Sequence, residues 1–312
     1  QVSRATVSAY LNKTRYVSEE LSERIQQAID ELGYTPDPLA RALKTSDANA
    51  AGLIVPVISG FYTPLINAIE QKMYERGYEL LISSSNEQHS IEKELLDVFV
   101  AKRVTGIIIV PCSATNVNAI NAIVDSGIPV VQANREIEGL AVDSVVSNNY
   151  EAAYQATEHL AQGGRKRVAL LGYDPTNNSG LQKKLGYEAA VRDYDLETDL
   201  TISVRDHDPP FISQRIAEFI ESGRDFDAMI ATSQGKTTIA LKALHQHGYH
   251  VPEDVALIGF DDAPWAELLS PPLTMISEDT YEMGAAAASL LIKRMEEEEP
   301  SELQRVRFED RM

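Results

Sequence analysis

Residues suited to holding a small polar ligand recur at short loops that follow apolar runs. Ser59-Gly60-Phe61-Tyr62 follows residues 52–56, Ser84-Ser85-Asn86 follows 79–83, Asn134-Arg135 follows 128–132, and Asn148-Asn149 precedes a helix-length stretch. Aromatic faces cover C–H surface while amides and a guanidinium fork hold hydroxyls, a mixture that fits a sugar ring. Trp265 is the only tryptophan and lies four residues past Asp261, so it is either an aromatic wall for a ligand or a core residue.

Catalytic arrangements are missing by the same inspection. Gly163-Gly164 and Gly172 do not make a dinucleotide fingerprint, and Gly235-Lys236-Thr237 lacks the leading glycine of a phosphate loop. Asp261-Asp262 has the chemistry of a general acid, yet neighbouring loop carboxylates usually serve as hydrogen-bonding or capping groups. His245, His247 and His250 cluster without metal-ligand spacing, and Cys112 sits at the end of an apolar run. The sequence predicts a binding protein and no enzyme, with no metal and no cofactor.

The elements that must position these loops fall into two patterns. From residue 50 onward, strand candidates at 52–56, 79–83, 105–111, 128–132, 167–172, 200–204, 228–232 and 255–260 alternate with amphipathic stretches. Alternation of this kind predicts parallel sheets covered on both faces. Two runs of four strands predict two doubly wound α/β lobes over 50–312, the N-lobe from 50–147 and 278–300 and the C-lobe from 148–277 and 301–312. Ligands of such folds lie beyond the carboxyl ends of strands, here in the cleft between lobes.

Residues 1–46 read as a separate helical head. Ser3 can cap a short helix to about Asn12, and Ser18 can cap a second with the stripe Leu21, Ile25, Ala28, Ile29 and Leu32, stopped at Gly33. Pro36 and Pro38 precede a short run, 39–44, able to form a turn or two. The chain carries a formal net charge of −19, which at first opposes nucleic acid, but its distribution matters more. Residues 1–18 hold Arg4, Lys13 and Arg15 and no acid, so the excess negative charge belongs to the body. One cysteine, no basic-then-apolar leader and no long apolar run predict a cytoplasmic protein outside the membrane.

Several strings together resemble the lactose/galactose-repressor family of transcription regulators. They begin with Val2-Ser3-Arg4-Ala5-Thr6-Val7-Ser8-Ala9-Tyr10-Leu11-Asn12, Val17-Ser18-Glu19-Glu20, Ile29-Asp30-Glu31-Leu32-Gly33-Tyr34-Thr35-Pro36 and Leu39-Ala40-Arg41-Ala42-Leu43-Lys44. Gly52-Leu53-Ile54-Val55-Pro56, Val251-Pro252-Glu253-Asp254-Val255, Gly259-Phe260-Asp261-Asp262 and Pro271-Pro272-Leu273-Thr274 continue the order. The resemblance implies a helix-turn-helix head whose first helix would precede residue 1. It also implies a periplasmic-binding-protein-like sensor, operator DNA with two half-sites, a homodimer and a carbohydrate-like effector. A transport-type sugar-binding protein is the alternative, since it shares the two-lobed body.

By resemblance, Arg4 and Ala5 would meet base edges, while Ser3, Thr6, Ser8 and Asn12 would hold phosphates. A hinge helix over 38–44 would present Leu43 as a minor-groove wedge, with Ala40, Arg41 and Lys44 beside it. Ala9 departs from the family, where arginine is frequent. The implied effector contacts are Arg135, Asn148, Lys183, Gln234 and Asp261, beside Phe61, Tyr62, Asn86 and Trp265. Here Lys183 (or Lys184) replaces a family arginine, Ser233-Gln234 replaces an Asn-Asp pair, and Asn148 stands where aspartate is common. Fewer acids beside Arg135 and Lys183 favour an anionic effector such as a sugar acid or sugar phosphate.

Overall fold

The computed structural model describes residues 2–3, 6–7, 9–10, 15–32, 49–58, 60–197 without 174–177, 200–204, 208–297 and 301–312. The chain divides into two compact units, residues 1–48 and 49–312. In the first, Ser3 Oγ accepts the Thr6 N–H at 3.1 Å, which caps a helical turn as the sequence predicts. Helix α1 (Glu19–Leu32) opens on two glutamates, placing negative charge at the positive helix end. Ala9 and Ile25 are buried, and Tyr10 Oη donates to Gln26 Oε1 at 2.9 Å.

The second unit holds two parallel sheets. In chain order its elements begin with β1 (Ala50–Val55), α2 (Thr63–Glu75), β2 (Glu79–Ser84), α3 (His89–Ala101), β3 (Gly106–Ile109), α4 (Val117–Asp125), β4 (Val130–Asn134) and β5 (Asp143–Ser147). They continue with α5 (Asn149–Gln162), β6 (Val168–Tyr173), α6 (Asn178–Asp193), β7 (Thr201–Ser203), α7 (Pro209–Glu221), β8 (Ala228–Ala231), α8 (Gln234–Gln246), β9 (Ala256–Phe260) and β10 (Thr274–Ile276). Helix α9 (Thr280–Glu296) and strand β11 (Arg305–Phe308) close the chain. The first sheet runs β11-β5-β4-β3-β1-β2 and the second β10-β9-β8-β6-β7. Central strands such as β1, β3 and β8 are buried on both faces, which explains their unbroken apolar runs. Gly52 on β1 is one consequence: a Cβ there would meet the Phe99 ring at 2.3 Å.

Two features differ from the sequence reading. Strands β5 and β10 were not anticipated, because 143–147 mixes polar with apolar residues and 274–276 is very short. The last strand was assigned to the C-lobe with 301–312, but β11 pairs in parallel with β5 and belongs to the N-lobe sheet. Its fastening is a buried acid: Asp143 accepts Arg294 Nε at 2.6 Å, Arg294 Nη2 at 2.9 Å and the Gln304 N–H at 2.6 Å. Those bonds tie the segment entering β11 to β5 and α9, and Val306 and Phe308 pack on the first core.

Candidate effector cleft

The cleft is built from strand ends. Carboxyl ends of β1, β2, β4 and β5 deliver Tyr62, Glu87, Asn134-Arg135 and Ser147-Asn148 from the first lobe. The ends of β8 and β9 deliver Thr232–Gln234 and Asp261 from the second, and α6 carries Lys183. Asn86, Glu87, Asn134 and Asp261 all have φ between 51° and 64°. A left-handed backbone is uncommon at non-glycine residues, and three of these four, Glu87, Asn134 and Asp261, carry side chains of the cleft.

A chain of polar contacts crosses from one lobe to the other. Tyr62 Oη donates to Asn134 Oδ1 at 3.2 Å, and Asn134 Nδ2 donates to Glu278 Oε2 at 2.7 Å. Glu278 Oε1 lies 3.9 Å from Lys183 Nζ, which lies 3.7 Å from Asp261 Oδ1. The Lys183 ammonium also donates to the Thr232 carbonyl at 3.2 Å and stands 4.2 Å from the Phe260 ring centre. Asp261 in turn accepts the Gln234 backbone N–H at 3.4 Å, and Gln234 Nε2 reaches the Asp262 carbonyl.

Arg135 is held separately. Its guanidinium forks onto Glu87 at 2.9 and 2.8 Å, with both side chains about one-eighth exposed. Asn148 Nδ2 lies 3.2 Å from each Glu309 carboxylate oxygen. Phe61 is half-buried and meets Tyr62 edge-to-face at 4.9 Å. Asn86 is exposed and bonds locally to Ser84, so the β2 loop sends Glu87 rather than Asn86 to Arg135. Trp265 is half-buried at a one-turn helix, between the two readings given for it. Among the head residues, Ser3 and Thr6 form the cap described above; Arg4, Ala5, Ser8, Asn12, Ala40, Arg41, Leu43 and Lys44 lie outside the described residues.

Burial sets the charge states. It pushes the Glu278 carboxyl up to about 8, opposed by Lys183 and reinforced by Asp261 and Asp310. Asp310 is likewise raised by burial, to about 6. Lys236, buried beside Gly172, is lowered by desolvation to about 8, with Asp261 opposing and Lys183 adding to the shift. Burial also holds the Tyr62 hydroxyl above its usual range, keeping it a donor.

Glu87, Lys236, Glu278 and Asp310 are functional candidates that sequence reasoning missed. Glu87 and Lys236 adjoin residues already singled out, whereas Glu278 and Asp310 meet only through tertiary pairing. A cavity of about 370 Å³ opens beside Arg135, Ser147, Asn148, Ser179 and Gln182. A larger hollow of about 740 Å³ lies near the amino ends of β9 and β10, lined by Leu160, Leu241, Pro252 and Pro271. It carries none of the buried ion pairs, so the cleft remains the site the chemistry favours. Among the described residues there is no cluster of three metal-ligating side chains, and no helix is long and apolar enough to cross a membrane.

Known proteins match over nearly the whole chain. Residues 48–308 match the model for periplasmic binding proteins and the sugar-binding domain of the LacI family, and residues 1–37 match bacterial regulatory proteins of the lacI family. The ribose operon repressor of Halalkalibacterium halodurans is 30% identical over 298 residues, covering 95% of this chain and 88% of that protein. The HTH-type transcriptional repressor PurR of Histophilus somni is 27% identical over 308 residues, covering 95% and 90%. Among solved structures, the transcriptional regulator CelR–cellobiose complex aligns with a TM-score of 0.77 at 26% identity, covering 99% of this chain and 94% of that one. The Lac repressor bound to ONPG aligns over the same shares with a TM-score of 0.85 at 20% identity, a likeness of fold.

Proposed function

The chain belongs to the LacI family of bacterial regulatory proteins and is a transcriptional regulator, and from that premise we propose that its inter-lobe cleft binds a neutral, hydroxyl-rich sugar that controls operator binding by the head. The observation that carries this reading is the polar path from Tyr62 and Asn134 through Glu278 to Lys183 and Asp261, which joins both lobes in one buried network. Both cations that favoured an anionic effector are already engaged: Arg135 by Glu87, and Lys183 by Asp261. Carboxyl groups and amides in this density exchange hydrogen bonds with sugar hydroxyls, and Glu278, held uncharged at neutral pH, can donate as well as accept. The ribose and cellobiose in the names of two relatives agree with a neutral sugar.

Calorimetric titration of the chain with ribose, cellobiose, sugar acids and sugar phosphates tests this. Heat with a neutral sugar is expected; binding confined to an acid or phosphate would overturn the effector reading. The regulator is read as a homodimer that spans two half-sites, with Ser3, Arg4, Ala5, Thr6, Ser8 and Asn12 at the major groove. Ala40, Arg41, Leu43 and Lys44 form the hinge contact in the same reading, and the face of α2 carries the dimer contact. The sugar acts only through different affinity for the DNA-bound and free arrangements. A gel shift with the native full-length protein checks the head: no retardation of any genomic fragment at low salt, with or without sugar, would refute it. The match of residues 1–37 to a regulatory head disfavours a transport-type binding protein.

A further inference from the structure

The lobes meet at three chain segments: 147–149 after β5, 277–279 between β10 and α9, and 309–311 after β11. The second and third are bonded to each other. Ser277 N donates to Arg311 O at 2.7 Å, and Arg311 N donates to Ser277 O at 3.0 Å, an antiparallel bridge. In an antiparallel pair that exchanges both bonds, the next residues toward the open side form the close, non-bonded pair on one face. Glu278 and Asp310 are the two residues adjoining this isolated bridge, and the Asp310 charge reaches Glu278. Like charges directly opposite in such a position repel.

Their surroundings sharpen the conflict. Both Asp310 carboxylate oxygens and the Ser147 hydroxyl are buried and make no well-formed hydrogen bond, although that hydroxyl is the donor nearest to both acids. Glu278 is 7% exposed. The groups facing this pair are Lys183 from α6, Asp261 after β9, Asn134 from β4, Ser147 from β5 and Glu309 beside Asp310. Lys183 is the cation that faces Glu278 and Asp310 and is shared with Asp261, so the pair has less than one positive charge to balance it. One proton held between Glu278 and Asp310 removes the repulsion and supplies the Asp310 carboxyl with the well-formed hydrogen bond it lacks.

We propose that Glu278 and Asp310 form a proton-sharing latch at the hinge, so that the lobes close on a protonated pair and loosen when it ionises. The inference concerns the hinge itself and stands whichever sugar, or none, occupies the cleft. Burial displaces both carboxyls toward neutral pH, which places the transition in the physiological range.

The test uses equilibrium unfolding of the full chain and of Glu278→Gln and Asp310→Asn between pH 5 and 9. A carboxyl whose folded value is raised keeps its proton in the folded state, so stability falls as pH rises from the unfolded value through the folded one. The wild-type unfolding constant, relative to either amide variant, should therefore climb toward tenfold per pH unit between about 5 and 8 and then level off. Small-angle scattering should show a larger radius of gyration at pH 9 than at pH 6 for the wild type and equal values for the variants. A ratio of unfolding constants that stays within twofold across the range overturns the shared proton. A scattering profile independent of pH overturns the latch. If one variant fails to fold, the other carries the comparison.

Discussion

Replacing Lys183 by methionine probes the centre of the cleft network without changing side-chain volume much. The ammonium is 5% exposed, lies 3.7 Å from Asp261 and 3.9 Å from Glu278, and donates to Thr232. At an effective dielectric of about 20, each ion pair is worth roughly 4 kcal/mol before desolvation. Bringing the ammonium out of water offsets several kcal/mol of that. Removing one partner of a buried pair leaves the others uncompensated, which costs about 3–5 kcal/mol. The loss depends on pH. Near pH 5 Glu278 and Asp310 hold their protons and need little from a cation; as pH rises, Lys183 lets Glu278 ionise near 8, whereas without it the carboxyl is held protonated to higher pH, so the loss grows. Urea unfolding at pH 5.5 and 8.5 reads the difference. A loss of about 3–5 kcal/mol at pH 8.5, smaller by at least about 1 kcal/mol at pH 5.5, is expected. A loss below about 1 kcal/mol at pH 8.5, or equal losses at both, would refute the assignment of Lys183 as counter-ion to the two acids.

Further outcomes follow from neighbouring contacts. Gly186 lies one turn from Lys183, and a Cβ there would sit 2.0 Å from the Tyr150 carbonyl oxygen on α5. Gly186→Ala should cost about 1–3 kcal/mol in denaturant midpoint despite alanine's better helix propensity, and should weaken sugar binding by displacing α6. Arg294→Ala strips the fork from buried Asp143; faster amide hydrogen exchange across residues 305–308 is expected, and unchanged exchange there would contradict the fastening role. Lys236→Met should stabilise the protein near pH 7 by up to about 3 kcal/mol. The folded lysine is depressed to about 8, so its penalty is full below pH 8 and relieved as pH climbs to 10.5. Thermal melts at pH 7 and 10.5 should show the methionine advantage shrinking, and an advantage that grows would show the wrong sign.

Local chemistry in the chain was enough to determine the class of architecture and several of its functional positions. Apolar runs such as residues 52–55 and 228–231 are too short for helices and suit strands buried on both faces, and the helix-length stretches between them suit parallel crossovers. Polar loops after those runs marked Tyr62, Arg135 and Asp261, since strand ends in such folds open onto a cleft. The ordered family strings, none decisive alone, assigned the regulator class.

Only the tertiary structure decided where charge is neutralised. Arg135 reads as a free cation until Glu87, in the left-handed backbone after β2, is seen to fork onto it. Glu278 and Asp310 lie 32 positions apart by their numbers and carry no local signal, yet the backbone bridge between their neighbours Ser277 and Arg311 brings them together. Strand β11 likewise joined the first sheet because Asp143 and Arg294, 151 residues apart, grip its approach. Periodicity records which face of an element is buried. Which acid meets which base is settled by chain crossings that periodicity does not encode.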